Sequence, residues 1–292
     1  MNTHIPTLLL REWMQHKRGW LIAAFAPPLI AIALALFANP HVEGSPRLPL
    51  EMIALMMTVL SGCVVYVICL LVALFQLPGL ARRDSQDRSI EFWLSLPGRP
   101  SESVAATVLA HAWLAPVGGA LVGALFGLPF ALMALGSKLG WGTAFSLPWG
   151  EIISAAAPML ARGLAGTVLL TLWLAPLILV LMAASSWLKR LGVPVVLVGS
   201  AVAATVMHKA YGIDWPLDVL MDWSQRINHT LVYDERGLMN ALQSEATSLW
   251  PQMAHDLGQA LADLASLQFL GWTALSAAAF ALVVMKRARG GS

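Results

Sequence analysis

The sequence predicts an all-α polytopic membrane protein with six transmembrane helices and both termini in the cytoplasm. Three observations lead there. Hydrophobic residues make up 58% of the 292-residue chain and charged residues 12%, about half the charge of a typical soluble domain. Six long apolar stretches follow one another, at 20–37, 52–77, 104–135, 163–187, 193–207 and 267–285, against the ~20 residues that a helix needs to cross the hydrocarbon core. Bases collect at alternate ends of these stretches. Twelve of the eighteen (Arg11, Lys17, Arg18, Arg82, Arg83, Arg88, Arg99, Lys189, Arg190, Lys286, Arg287 and Arg289) fall in the odd-numbered polar segments, with only five of the sixteen acids. Lys and Arg near helix ends are retained in the cytoplasm, so the odd segments are assigned inside, at net +7, and the even ones outside, at net −5.

Each element has its own reason. In residues 1–19, Ile5, Leu8, Leu9, Trp13 and Met14 share one helical face, with Arg11, Glu12, Gln15, Lys17 and Arg18 around the rest. That is the pattern of an interfacial helix on the cytoplasmic surface. The stretch 20–37 is read as a retained span: a long leader precedes it, Pro27 and Pro28 interrupt it, and no small-residue cleavage site follows. The proline-rich outer loop 39–51 is a connector. The third stretch carries Gly119, Gly123 and Gly127 at four-residue spacing, which lets another helix approach closely, within the chain or across a dimer. Pro116 and Pro129 can each kink it. Residues 136–162, with Trp141 and Trp149, are expected along the outer interface, and 188–192 as a tight inner turn. The outer segment 208–266 predicts amphipathic helices over 214–222 and 251–266, lying on the outer surface between spans five and six.

The inner loop 78–103 is the richest in charge. Asp84, Asp87, Arg88 and Glu91 lie in its first part; Ile90, Phe92, Trp93, Leu94 and Leu96 follow, and then Pro97. Proline disfavours helix at the residue before it, so a short amphipathic helix is expected near 87–95, with its polar face to water or a partner and Phe92 and Trp93 packed on the bundle.

This loop resembles that of ABC-2 type permeases, the membrane subunits of a large group of ABC transporters. Asp87 stands for their acidic residue, Ser89-Ile90-Glu91 for a Thr-Leu-Glu step, and Leu96-Pro97 for a Leu-Pro. Arg11-Glu12-Trp13 in an interfacial helix, six spans and amphipathic outer helices complete the likeness. Arg88 replaces the usual glycine, and the lysine often found at the start of the third span is missing. The resemblance implies a transport subunit in a bacterial cytoplasmic (inner) membrane, pairing with a second permease copy or a related permease. It implies that a separate ABC ATPase subunit binds ATP and Mg. The residues expected to meet that subunit are Arg11, Lys17, Arg18, Asp84, Asp87, Arg88 and Glu91, with Phe92 and Trp93 packing the coupling helix.

The chain has no glycine-rich phosphate loop ending in Gly-Lys-Ser/Thr, so an ATPase activity of its own is not expected. No Gly-x-Ser-x-Gly elbow or His-Glu-x-x-His run occurs either. The seven histidines (4, 16, 41, 111, 208, 229 and 255) read as scattered polar surface residues rather than metal ligands; His111 alone is an ionisable residue within a span, near its inner end, where it can reach water. Cys63 and Cys69 read as small core residues, and no folded domain offers a basic patch for nucleic acid. No acid lies mid-span, which points to apolar walls and an amphipathic or hydrophobic cargo; that the cargo is exported is what the resemblance implies. Two other functions fit the same pattern: a scaffold or signal relay driven by an ATPase, and a proton-linked carrier.

Overall fold

The computed structural model describes residues 4–37, 49–86, 99–243 and 248–289. Every regular element among them is helical: α1 (Ile5–Phe37), α2 (Leu50–Gln86), α3 (Pro100–Leu139), α4 (Trp141–Ser146), α5 (Trp149–Leu188), α6 (Gly192–Tyr211), α7 (Trp215–His229), α8 (Glu235–Gln243), α9 (Trp250–Ala262) and α10 (Leu267–Ala288). Five helical runs are long and apolar enough to cross a membrane: Ile5–Phe37, Leu50–Arg82, Pro100–Leu139, Trp149–Tyr211 and Leu267–Ala288. Large apolar side chains on them face outward, among them Phe75 on α2, Leu125 on α3, Val198 on α6 and Leu270 on α10. A water-soluble chain does not expose such faces, whereas lipid matches them, and helices keep their backbone hydrogen bonds internal there. The architecture is that of a multi-pass membrane protein.

The fourth run holds two of the expected stretches, 163–187 and 193–207. Lys189 breaks it with φ 56°, and a 3₁₀ turn over Lys189–Leu191 leads into α6. Gly192 then lies against the Ala184 carbonyl and Ser185 amide, with no room for a Cβ. Residues eight apart on a straight helix would be separated by ~12 Å. The chain therefore folds back, and α5 and α6 form a hairpin at the turn expected over 188–192.

Three boundaries differ from the sequence reading. Helix α2 continues through Pro78 to Gln86, nine residues past the expected end of its span at 77, so the first part of the expected loop 78–103 is helical. The expected interfacial helix over 1–19 and span over 20–37 form one continuous helix of 33 residues, ~50 Å long at 1.5 Å per residue. The polar pattern changes near Trp20, but nothing there interrupts the backbone hydrogen bonds. Helix α5 begins at Trp149, not near 163, and runs for 40 residues, ~60 Å. Its first turns, with Glu151 and Arg162, extend it beyond the ~30 Å hydrocarbon thickness. Short α4, after Gly140 at φ 92°, leads into it, and the Trp149 indole N–H donates to the Ala144 carbonyl at 2.9 Å.

Helices α2, α3 and α5 form the centre. Leu77, Ile178 and Met182 are almost fully buried in it, beside Tyr66, Leu170 and Leu174, while Trp173 of α5 is buried against Phe269 of α10, 5.2 Å between rings. The glycine row of α3 faces α2. A Cβ on Gly119 would stand 2.5 Å from the Cys69 sulfur, one on Gly123 would stand 2.7 Å from the Ser61 carbonyl oxygen, and one on Gly127 would overlap the Thr58 carbonyl. The row is used inside the chain. Next to the Lys189–Leu191 turn, the Ser185 hydroxyl of α5 donates to the Pro78 carbonyl of α2 at 2.7 Å. The Trp187 ring of α5 lies under Lys286 of α10 and under Arg289 just past its end, 5.5 and 5.8 Å away.

The segment 208–266 carries α7, α8 and α9, whose pattern is strongly amphipathic. The expected helix over 214–222 extends to His229, and that over 251–266 ends in a 3₁₀ turn at Asp263–Ala265.

Candidate functional site

Two buried polar clusters stand out in an otherwise apolar bundle. The first joins α1 to α3, immediately after the loop 78–103. Glu12 is 1% exposed and His111 is fully buried. Glu12 Oε1 accepts from Arg11 Nη2 at 2.7 Å and from the Thr107 hydroxyl at 3.2 Å. Glu12 Oε2 faces His111 Nε2 at 3.4 Å and His16 Nδ1 at 3.5 Å. His16 Nδ1 also lies 3.1 Å from the Glu12 carbonyl oxygen. The Trp20 ring closes one side, 4.9 Å from the His111 ring.

Proline explains the placing of His111. Pro116 lacks an N–H and its ring crowds the carbonyl four residues back. That carbonyl belongs to Ala112, and the turn Leu109–Leu114 widens into a π-helix. The Thr171 hydroxyl of α5 approaches the freed Ala112 oxygen at 3.4 Å. The wide turn carries His111 on the face toward α1. Such single π turns recur at functional sites.

The second cluster joins α5 to α9. Arg162 on α5 and Asp256 on α9 are 4% and 1% exposed. Arg162 Nε donates to Asp256 Oδ2 at 2.7 Å, and its Nη1 donates to the Thr230 carbonyl at 2.7 Å. Asp256 Oδ1 accepts from the Tyr233 and Asp234 amides at 2.9 and 2.7 Å. One ion pair thus fastens the turn between α7 and α8, and α9 itself, onto the protruding end of α5. Gly166 permits this, because a Cβ there would stand 2.5 Å from the Thr230 carbonyl oxygen. The Trp223 indole N–H adds a bond to the Trp173 carbonyl at 3.0 Å.

Between the clusters lies an apolar niche of about 70 Å³, lined by Cys63, Tyr66, Ala120, Gly163, Thr167 and Leu231 among others. A water occupies ~30 Å³ of liquid and ligand pockets run to ~300 Å³ or more, so this niche is too small to be a cargo site. The nearby threonine hydroxyls are satisfied locally, while the buried Tyr66 hydroxyl has no hydrogen-bond partner among the described residues. Thr167 donates to the Leu164 carbonyl at 2.7 Å, and Thr171 to the Thr167 carbonyl at 2.8 Å.

Of the residues expected to meet a partner, Lys17 and Arg18 are exposed on α1, while Arg11 is mostly buried and turned onto Glu12. Asp84 sits on the final turn of α2; its side chain, and all of Asp87, Arg88, Glu91, Phe92 and Trp93, lie outside the described residues. The expected helix over 87–95 does too. The reading of the histidines as scattered surface residues is corrected for His16 and His111. They come together because α1 packs along the start of α3, which brings residues 95 positions apart to one point. Glu12 and His111 were missed as a site. The available signals were a Glu and a His four apart on one helical face, and an ionisable residue within an apolar span.

No family model matches the chain, and no curated protein or solved structure matches it.

Proposed function

We propose that this chain is the permease subunit of an ABC-2 type transporter in a bacterial cytoplasmic membrane, driven by a separate ATPase subunit and working as a dimer. One observation carries the proposal: the charged loop 78–103, with its ABC-2-like pattern, joins α2 and α3, which the glycine row packs as one body. A push on that loop moves both helices together. The Glu12–Thr107 and Glu12–His111 contacts tie α1 to the same body, and exposed Lys17 and Arg18 extend the basic inner surface beside it.

Topology follows the same logic. The α5–α6 hairpin supports six crossings, with α6 as the fifth, and the base distribution supports cytoplasmic termini. The outer helices α7 to α9 then cap the bundle on the far side. The uncharged middle of the spans favours an amphipathic or hydrophobic cargo, exported along a path formed between two copies.

The test is association. The complex is isolated from its native membrane in mild detergent, as wild type and with Asp87→Lys and Glu91→Lys combined. Wild type brings down an ATPase subunit with a phosphate-loop motif, and the variant inserts normally but loses most of it. Undiminished assembly in the variant removes both residues from the interface, and no ATPase with wild type removes the proposal. A proton-linked carrier is the second reading, favoured by the buried Glu12–His111 contact. Transport by the lone chain, without nucleotide, selects it.

A further inference from the structure

We propose that Glu12, His16 and His111 form a binding site for a transition-series divalent cation of the Zn²⁺ type, which clamps α1 onto α3. One ligand atom from each lies within 4.8 Å of the others, a triangle that small side-chain adjustments close to Zn–N and Zn–O bonds of ~2.0–2.2 Å.

Four features of the cluster point to an ion. The carboxylate is divided in use. Arg11 and Thr107 hold Glu12 Oε1, and Oε2 is turned to the two imidazoles. A metal-binding carboxylate has this arrangement, with one oxygen supported by the surrounding protein and the other aimed at the ion. Glu12 and His16, four residues apart, share one face of a continuous helix. The π turn sets His111 opposite them, with its ring 4.5 Å from that of His16. Finally, His111 is fully buried and presents Nε2 to the Glu12 carboxylate.

The donor set selects the class of ion. The Arg11 guanidinium cancels the Glu12 charge, so the site does not draw cations by net charge. Ca²⁺ and Mg²⁺ need several oxygen ligands and are not matched here. Two imidazoles and one carboxylate suit Zn²⁺ or Co²⁺, with a fourth position for water or another ligand. His16 is 19% exposed and marks the entry path, while the Trp20 ring covers the far side of His111. The inference is independent of the transport reading, since a clamp between α1 and α3 follows from the cluster alone.

The test uses the full chain, purified without a polyhistidine tag, treated with a chelator and titrated with Co²⁺, then Zn²⁺. The expected result is one Co²⁺ per chain, with the visible absorption of a low-coordinate ion, displaced by Zn²⁺. His16→Asn and His111→Asn each weaken binding by more than the ~10–100-fold that loss of a supporting contact costs, and Thr107→Val weakens it within that range. His4→Asn and His255→Asn leave it unchanged. Absence of saturable binding in the wild type, or binding unaffected by both His16→Asn and His111→Asn, overturns the site. Should those variants not fold, X-ray absorption on the Zn²⁺-loaded wild type reads the ligands directly. Two imidazole nitrogens and an oxygen uphold the site; sulfur ligands or an all-oxygen shell overturn it.

Discussion

Arg162 and Asp256 lie 94 positions apart in sequence, yet the guanidinium Nε and the carboxylate Oδ2 meet at 2.7 Å with both side chains almost fully buried. Each is further satisfied by backbone: Arg162 by the Thr230 and His229 carbonyls, Asp256 by two amides. A buried pair with its remaining hydrogen-bonding capacity filled is costly to break singly, because the survivor is left charged without a partner.

Removing one partner is therefore expected to be worse than removing both. Asp256→Ala should lower the stability of the purified chain by ~3–5 kcal/mol, while Arg162→Met combined with Asp256→Leu should cost less than the single change. Thermal unfolding in detergent, followed by tryptophan fluorescence, measures it. A double variant weaker than Asp256→Ala would mean that the pair does more than satisfy its own charges.

The glycine row of α3 gives a second contrast. Gly127 lies against the Thr58 backbone, where a Cβ overlaps atoms that cannot swing away, whereas Gly118, on the same helix, has nothing within 4 Å of an added Cβ. Gly127→Ala must push α3 from α2 and should cost ~1–3 kcal/mol or more, as overpacking does. Gly118→Ala should be neutral or stabilising by up to ~1 kcal/mol, through helix propensity. The same unfolding assay checks both, and equal effects would contradict the packing described.

The hairpin between α5 and α6 depends on two residues of opposite demand. Lys189 adopts φ 56° without being glycine, a conformation that costs an ordinary residue ~1–3 kcal/mol. Gly192 has backbone of Ala184 and Ser185 against it. Lys189→Gly should leave stability unchanged or raise it by ~1 kcal/mol, the gain being offset by a freer unfolded chain. Gly192→Ala should open the turn and destabilise. A loss from Lys189→Gly would mean that the lysine side chain, not the backbone, holds the turn.

Hydropathy made most of the bundle legible. The apolar stretches, the turn at 188–192 and the small-residue row follow from local composition, because burial in lipid or against a neighbour demands apolar or small side chains wherever it occurs. The continuity of α1 across Trp20 was not legible: the change from polar to apolar surface marks a change of solvent, and the backbone does not break there. The early start of α5 was hidden for a related reason. Glu151 and Arg162 read as loop residues, since the partners that bury Arg162 come from α9 and from the turn after α7. Helix α8 is only nine residues long, too short for periodicity to mark. The meeting of Glu12, His16 and His111 needed the packing of α1 on α3, which no local pattern encodes.

The contact between α2 and α5 beside the Lys189 turn supplies another test. The Ser185 hydroxyl donates to the Pro78 carbonyl in a buried setting, so Ser185→Ala should cost about 1 kcal/mol, a typical net value for one hydrogen bond with a neutral acceptor. Ser200→Ala, on exposed α6 and bonded only within its own helix, should change stability by less than ~0.5 kcal/mol. A reversal of that order would detach α2 from α5 at this end.

The central claim is that this chain moves a cargo with energy taken from a separate ATPase. Inside-out vesicles carrying the chain with its ATPase, or the chain alone, measure it through uptake of a fluorescent amphipathic compound with and without ATP. The account predicts ATP-dependent uptake only when both subunits are present, and none by the lone chain. Uptake by the lone chain driven by a proton gradient, indifferent to ATP, would contradict it.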